Sequence, residues 1–149
     1  VGDCRAYRLG PDGAELLTRD QTLVQRELDA GRISAEQARR HPQASVILQA
    51  LGAQETIAPA FSLGEAAPGD TLLICSDGLH RRLGKVDFAL LSEAEGTEGA
   101  LLDALDTLIA RVIDRGEKDN ITAVCARIGG LRADGDDEPT LAAPLRGGE

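Results

Sequence analysis

The run Thr71-Leu72-Leu73-Ile74-Cys75 is apolar and β-branched, and it stops abruptly on Ser76-Asp77-Gly78. Entered through the turn signal Pro68-Gly69-Asp70, it reads as a buried strand. The carboxylate that closes it cannot lie in the core the strand builds, because an ionised carboxyl is costly to bury without partners. Asp77 therefore belongs at the strand's mouth. A second acid, in Asp119-Asn120, holds the mirror-image position just before the apolar stretch 121–128. If those two strands are neighbours, both carboxylates converge on one rim of a sheet. Bare carboxylates there would repel and raise one pKa. A divalent cation removes that conflict, and all-oxygen donors favour Mg²⁺ or Mn²⁺ over zinc.

Each acid also has a plainer reading. Asp77 could cap a helical turn over 79–83, and Asp119-Asn120 could form an Asx turn. Asp3, in Gly2-Asp3-Cys4-Arg5, reads best on residues alone as half of an Asp3–Arg5 pair on one face of an edge strand. His41 and His80 read as structural, His80 on the solvated side of a turn beside Arg81 and Arg82. The stretch Cys75 to Arg81 fits the Cys-x-x-Gly-x-x-Arg pattern of thiolate phosphatases. Against that, Asp77 would put a negative charge into a loop that binds a dianion. The apolar run would also raise the thiol pKa.

Around these residues the expected elements are a hairpin (1–9 and 14–18) about Gly10-Pro11-Asp12-Gly13 and a helix over 22–30. A second, short helix opens on the capping box Ser34-Ala35-Glu36-Gln37 and stops at His41-Pro42. Residues 45–51 stay open between strand and helix. Residues 56–63 read as an edge strand broken by Pro59, and 86–91 as a short helix. The strongest helix is 97–114, with Leu101, Leu105, Leu108 and Val112 at helical spacing. Residues 121–128 follow as a buried strand, and 130–149 as a disordered acidic tail.

A chain of 149 residues that is 42% apolar makes one domain. Aromatics are 2%, so the core is built from Leu, Ile, Val and Ala. A net charge of −9 argues against nucleic acid and anionic membranes as partners. No apolar run approaches the roughly 20 residues that span a bilayer. The three cysteines lack paired ligand spacing and sit in strand-like stretches. They read as reduced, buried thiols of a cytoplasmic protein rather than a zinc site. The chain has no methionine and opens in what reads as mid-strand, so the expectation is the C-terminal part of something longer.

In order along the chain, six motifs resemble the C-terminal half of the bacterial PPM family, the metal-dependent type 2C serine/threonine protein phosphatases. They are Val1-Gly2-Asp3-Cys4-Arg5-Ala6-Tyr7, with Cys4 where Ser is usual, and Leu17-Thr18-Arg19-Asp20, with Gln21 replacing the usual His. Gly31-Arg32-Ile33-Ser34 through His41-Pro42 follows, then Ala50-Leu51-Gly52, then Gly69-Asp70 with Leu72 to Leu79, and last Asp119-Asn120-Ile121-Thr122.

The resemblance implies an α+β fold, part of a four-layer αββα sandwich of two antiparallel sheets flanked by helices. Residues 1–129 would be the C-terminal portion of the phosphatase domain, with the N-terminal half absent. It implies hydrolysis of phosphoserine and phosphothreonine on a phosphoprotein substrate by a water activated by two Mg²⁺ or Mn²⁺ ions. Asp77 and Asp119 would be ligands, and Asp3 would serve an additional, weaker site. The family often places a second acid four residues beyond the Asp77 position, where this chain has Arg81. The family's Asp-Gly-x-Gly-Gly motif and its phosphate-holding Arg have no match here. Two expectations follow: a phosphatase fragment inactive alone, which partners the missing N-terminal half, or a non-catalytic remnant that acts as an interaction module.

Overall fold

The computed structural model of the chain describes residues 1–94 and 97–129. The expected tail at 130–149 lies outside the described residues. Strands β1 (Arg5–Gly10) and β2 (Gly13–Leu16) form the expected hairpin, paired from Tyr7↔Leu16 to Gly10↔Gly13. Gly13 closes the turn at φ +108°, a conformation that side chains other than glycine rarely adopt. Helices α1 (Leu23–Asp29) and α2 (Ala35–Arg39) come next. Thr22 caps α1 by accepting from the Gln25 N–H, and the Ser34–Gln37 capping box opens α2 with both of its bonds.

Strand β3 (Thr71–Cys75) enters between β1 and β4 (Ala123–Arg127). The result is one antiparallel sheet of four strands in the order β2-β1-β3-β4. Its side chains alternate as a pleated strand requires. Tyr7, Leu9, Leu73 and Cys75 turn to one face and are buried. Onto that face pack α3 (Asp77–His80), a 3₁₀ turn (Lys85–Asp87), α4 (Ala89–Ser92) and α5 (Glu98–Asp114). Leu105, Leu108 and Val112 of α5 recur at helical spacing and are buried against the sheet, with Leu79 and Leu91 beside them. Fully burying such side chains stabilises by about 1.5–3 kcal/mol each. Asp87 ties the turn to the end of α5. It is 0% exposed and accepts from both Arg115 Nη atoms, at 2.6 and 2.8 Å, and from the Gly84 N–H at 2.7 Å.

Several expectations are corrected. The chain opens on a turn rather than in mid-strand, because β1 begins only at Arg5, and β1 is interior rather than an edge. Residues 56–63 form no strand. The Gln49 side chain bonds both the N–H and the C=O of Ala58, Pro59 has no N–H to give, and Phe61 and Leu63 stand in solvent. The stretch 45–51 contributes only an isolated bridge, Ile47 to Thr22. Residues 86–91 split into the 3₁₀ turn and α4. β4 is an edge strand, half-exposed rather than buried, since only one of its faces meets α5. Of the three thiols, all free, Cys75 is buried and Cys125 half-buried, but Cys4 is exposed.

Among the described residues the face away from the helices is covered only in part, where Arg8 donates to Glu65 O at 2.8 Å. Ile74 is 53% and Val124 is 60% exposed there, side by side in the β3–β4 register. Among the described residues no helix is long and apolar enough to cross a membrane.

Candidate metal centre

β3 and β4 are antiparallel neighbours, with Cys75 opposite Ala123, so the end of one meets the beginning of the other. Asp77 leaves the first and Asp119 approaches the second. Ser76 laces the two segments together. Its N–H donates to Thr122 O at 2.9 Å, and its Oγ donates to Asn120 O at 3.3 Å and accepts from the Thr122 N–H at 3.0 Å. Gly78 lets them close up, since a Cβ on it would lie 2.4 Å from Asn120 O.

The approach of Asp119 is set by how α5 ends. Gly116, at φ +84°, lets the chain turn back, with Gly116 N–H on Ile113 O and Glu117 N–H on Val112 O, a Schellman closure. Glu117 then accepts from the N–H groups of Lys118 and Asp119, at 2.9 and 3.0 Å, and from Arg82 at 3.0 Å. Those backbone bonds first, and Arg82 after them, push its pKa down to about 2. Glu117 is a support that no motif pointed to. An acid two residues before Asp119 was its only signal.

Asp3 joins the same rim from the opposite side. It does not pair with Arg5, whose guanidinium grips Asp20 at 2.8 and 2.9 Å. Instead His80 donates from Nε2 to the Asp3 carbonyl at 2.9 Å. His80 is therefore buried, not solvated, and burial first, then the Arg5 charge, lowers its pKa. The Asp3 carboxyl is raised, first by burial and then by the Asp77 charge, with Arg81 and His80 opposing.

Asp77 is not spent on a helix cap across the turn. Its Oδ1 accepts only the adjacent Gly78 N–H at 2.9 Å, while Oδ2 meets Arg81 Nη2 at 2.6 Å. The same guanidinium lies 3.6 Å from Asp3 Oδ2 and 3.9 Å from Asp119 Oδ2. All three sequence-predicted ligands thus point at one place, and a cation, Arg81, stands in it. Asp119 Oδ1 accepts the adjacent Asn120 N–H at 2.8 Å, one residue on rather than the two of an Asx turn, beside the outward-facing Oδ2. With Arg81 at the centre, no three His, Cys, Asp or Glu side chains close into a ligand group of their own among the described residues. The donors still fit a divalent ion in kind and charge. They are hard oxygens, and three carboxylates outweigh one guanidinium by two charges.

A cleft of about 390 Å³ opens beside this point, between the rim residues Asp3, His80 and Arg81, the α1 side chains Val24 and Leu28, and Ala38 of α2. The thiolate alternative loses ground. Cys75 is 3% exposed, and burial pushes its pKa up to about 11. His41, the other histidine, only accepts a local N–H from Gln43.

No family model matches the chain. It is 35% identical over 147 residues to the serine/threonine protein phosphatase PstP of Mycobacterium tuberculosis, covering 99% of this chain and 27% of PstP. The crystal structure of that phosphatase matches this fold with a TM-score of 0.74 at 34% identity, over 87% of this chain and 53% of that one. The chain is a relative of the bacterial PPM-type serine/threonine phosphatases. Against a PstP catalytic domain in complex with two manganese ions the TM-score is 0.69 at 30% identity, over 87% of this chain and 52% of that one. The chain spans about a quarter of PstP and about half of those two structures.

Proposed function

We propose that residues 1–129 carry one side of the catalytic centre of a metal-dependent serine/threonine protein phosphatase. The observation that carries this is the meeting of Asp77, Asp119 and Asp3 at a single cation position at the joined ends of β3 and β4. Asp77 and Asp119 would hold Mg²⁺ or Mn²⁺, and Asp3 would serve a further, weaker site. When bound, two such ions supply Lewis-acid activation of a water for in-line attack on phosphorus, with no phosphoenzyme. The chain's own residues set the geometry. Gly78 and Ser76 keep the Asp77 and Asp119 segments in contact, Glu117 fixes the backbone of Asp119, and His80 fixes that of Asp3. The substrate class is phosphoserine and phosphothreonine in proteins, as the names of the relatives suggest.

We further infer that the four-stranded sheet is one of two in a four-layer sandwich, its bare Ile74–Val124 face covered by a second sheet from an N-terminal half. On that view the isolated chain is inactive, and the half that covers the sheet completes the centre. The free thiols accord with a cytoplasmic setting. A second reading, a non-catalytic interaction module, draws support from Arg81, which already neutralises part of the cluster.

The deciding experiment follows hydrolysis of a phosphothreonine peptide by the intact parent domain and by this chain alone. The parent is expected to turn over with Mn²⁺ and to lose at least about 100-fold on Asp77→Asn or Asp119→Asn. Turnover that persists in EDTA with Asp77→Asn overturns the metal-dependent reading and the ligand role of Asp77. A parent domain inactive with every divalent ion supports the interaction module.

A further inference from the structure

Three carboxylates drawn together without a counter-charge repel, and the chain answers that repulsion from within. Arg81 lies four residues after Asp77, one turn along α3, so its guanidinium reaches Asp77 Oδ2 at 2.6 Å with little reordering. From there it also faces Asp3 at 3.6 Å and Asp119 at 3.9 Å. A guanidinium and a divalent ion cannot occupy one point. The Arg81 side chain is 39% exposed, so it has a path to solvent. Resting on the reading of this rim as a metal centre, we propose that Arg81 is a tethered competitor for the divalent cation. It holds the three carboxylates together when no metal is bound, and it must swing out before one enters. The consequence is a weakened, conditional metal affinity encoded in one side chain.

The competition is a population effect. If the arginine vacates the rim about one-tenth of the time, apparent metal affinity falls about tenfold, because only the vacated state binds. A purely structural arginine would behave otherwise: its removal would lower stability and leave metal affinity unchanged or worse.

The test titrates Mn²⁺ into the intact parent domain and follows loss of the free-ion EPR signal, for wild type, Arg81→Gln, Arg81→Lys and Asp77→Asn. Arg81→Gln is expected to bind Mn²⁺ about tenfold tighter than wild type, and to melt lower without metal yet gain more from its addition. Should Arg81→Gln fail to fold by circular dichroism, Arg81→Lys decides. It keeps the charge but loses the planar fork, and it is expected to bind Mn²⁺ tighter than wild type. If wild type binds, Asp77→Asn does not, and the Arg81 variants bind no tighter than wild type, the competitor role is overturned while the metal centre stands. If binding ignores Asp77→Asn, or if neither wild type nor any Arg81 variant binds, the metal centre falls and the inference with it.

Discussion

Gly78 offers the sharpest single perturbation of this fold, because one methyl group sets a strand end against a loop. Its backbone is not in the left-handed region, so conformational freedom is not what an alanine would lose. The obstacle is contact: an added Cβ would lie 2.4 Å from Asn120 O and 3.1 Å from Asn120 C. Restoring normal separation requires the 119–120 backbone to retreat by about 1 Å. Asn120 is held to Ser76 Oγ, and the neighbouring Thr122 N–H donates to the same oxygen, so the retreat strains both bonds. The loop is exposed and yields in part, which places the cost at about 2 kcal/mol, within the usual range for overpacking. Urea denaturation of Gly78→Ala should show a lower midpoint at an unchanged slope. Because the retreat also draws Asp119 away from Asp77, Mn²⁺ affinity should weaken on the order of tenfold, the equivalent of about 1.4 kcal/mol. Gly64→Ala is the control. No atom lies within 4 Å of its added Cβ, and its stability should stay within about 0.5 kcal/mol of wild type. A Gly78→Ala protein with wild-type stability and wild-type Mn²⁺ affinity would refute the argument.

Asp87→Asn should lose about 2 kcal/mol in urea titrations, since it weakens the charge-assisted bonds between a fully buried carboxylate and the half-exposed Arg115. The Arg115 bonds hold the Asp87 carboxyl below its ordinary 3.8. A depressed folded pKa contributes stability that is complete above about pH 4 and is lost as pH falls through the folded value. Wild type should therefore lose stability below about pH 4, and Asp87→Asn should flatten that acid slope; parallel slopes for the two proteins would count against the assignment. Iodoacetamide at neutral pH, read by mass spectrometry, should modify the exposed Cys4 first. Cys75 and Cys125, whose burial lifts both thiols to about 11, should resist. Alkylation of Cys75 as fast as Cys4 would revive the thiolate chemistry.

Features governed by near neighbours in the chain are legible in the sequence alone. The 3.6-residue spacing of Leu101, Leu105, Leu108 and Val112, with Thr97 at one end and Gly116 at the other, defines α5 almost to the residue. The Ser34–Gln37 box and the Thr71–Cys75 strand are equally local, resting on one side-chain pair and one apolar run. The stretch 56–63 has the local marks of a strand and is not one, because a strand exists only where another offers it a ladder. Likewise β4 is apolar enough for a sheet's interior, yet it lies at the edge, because its outer face has no partner among the described residues.

The metal-centre residues divide along the same line. Asp77 and Asp119 stand out by ending and beginning apolar runs, which requires only that carboxylates avoid cores. That they meet is conditional on strand order, and the antiparallel β3–β4 pairing supplies it. Asp3 taken with Arg5 reads as a surface pair. Only packing of the first loop against α3 sends it to Arg81 and leaves Arg5 to Asp20. His80 reads as solvated beside two arginines, and its burial against Asp3 is a matter of which face of α3 meets β1. Local patterning named Asp77 and Asp119, because the energetic rules against burying charge act residue by residue, while Asp3 was named only by the family resemblance. Their common target, and the arginine that stands in it, were decided by tertiary contacts between distant segments, such as Ser76 and Asn120, 44 residues apart, and Asp3 and His80, 77 apart.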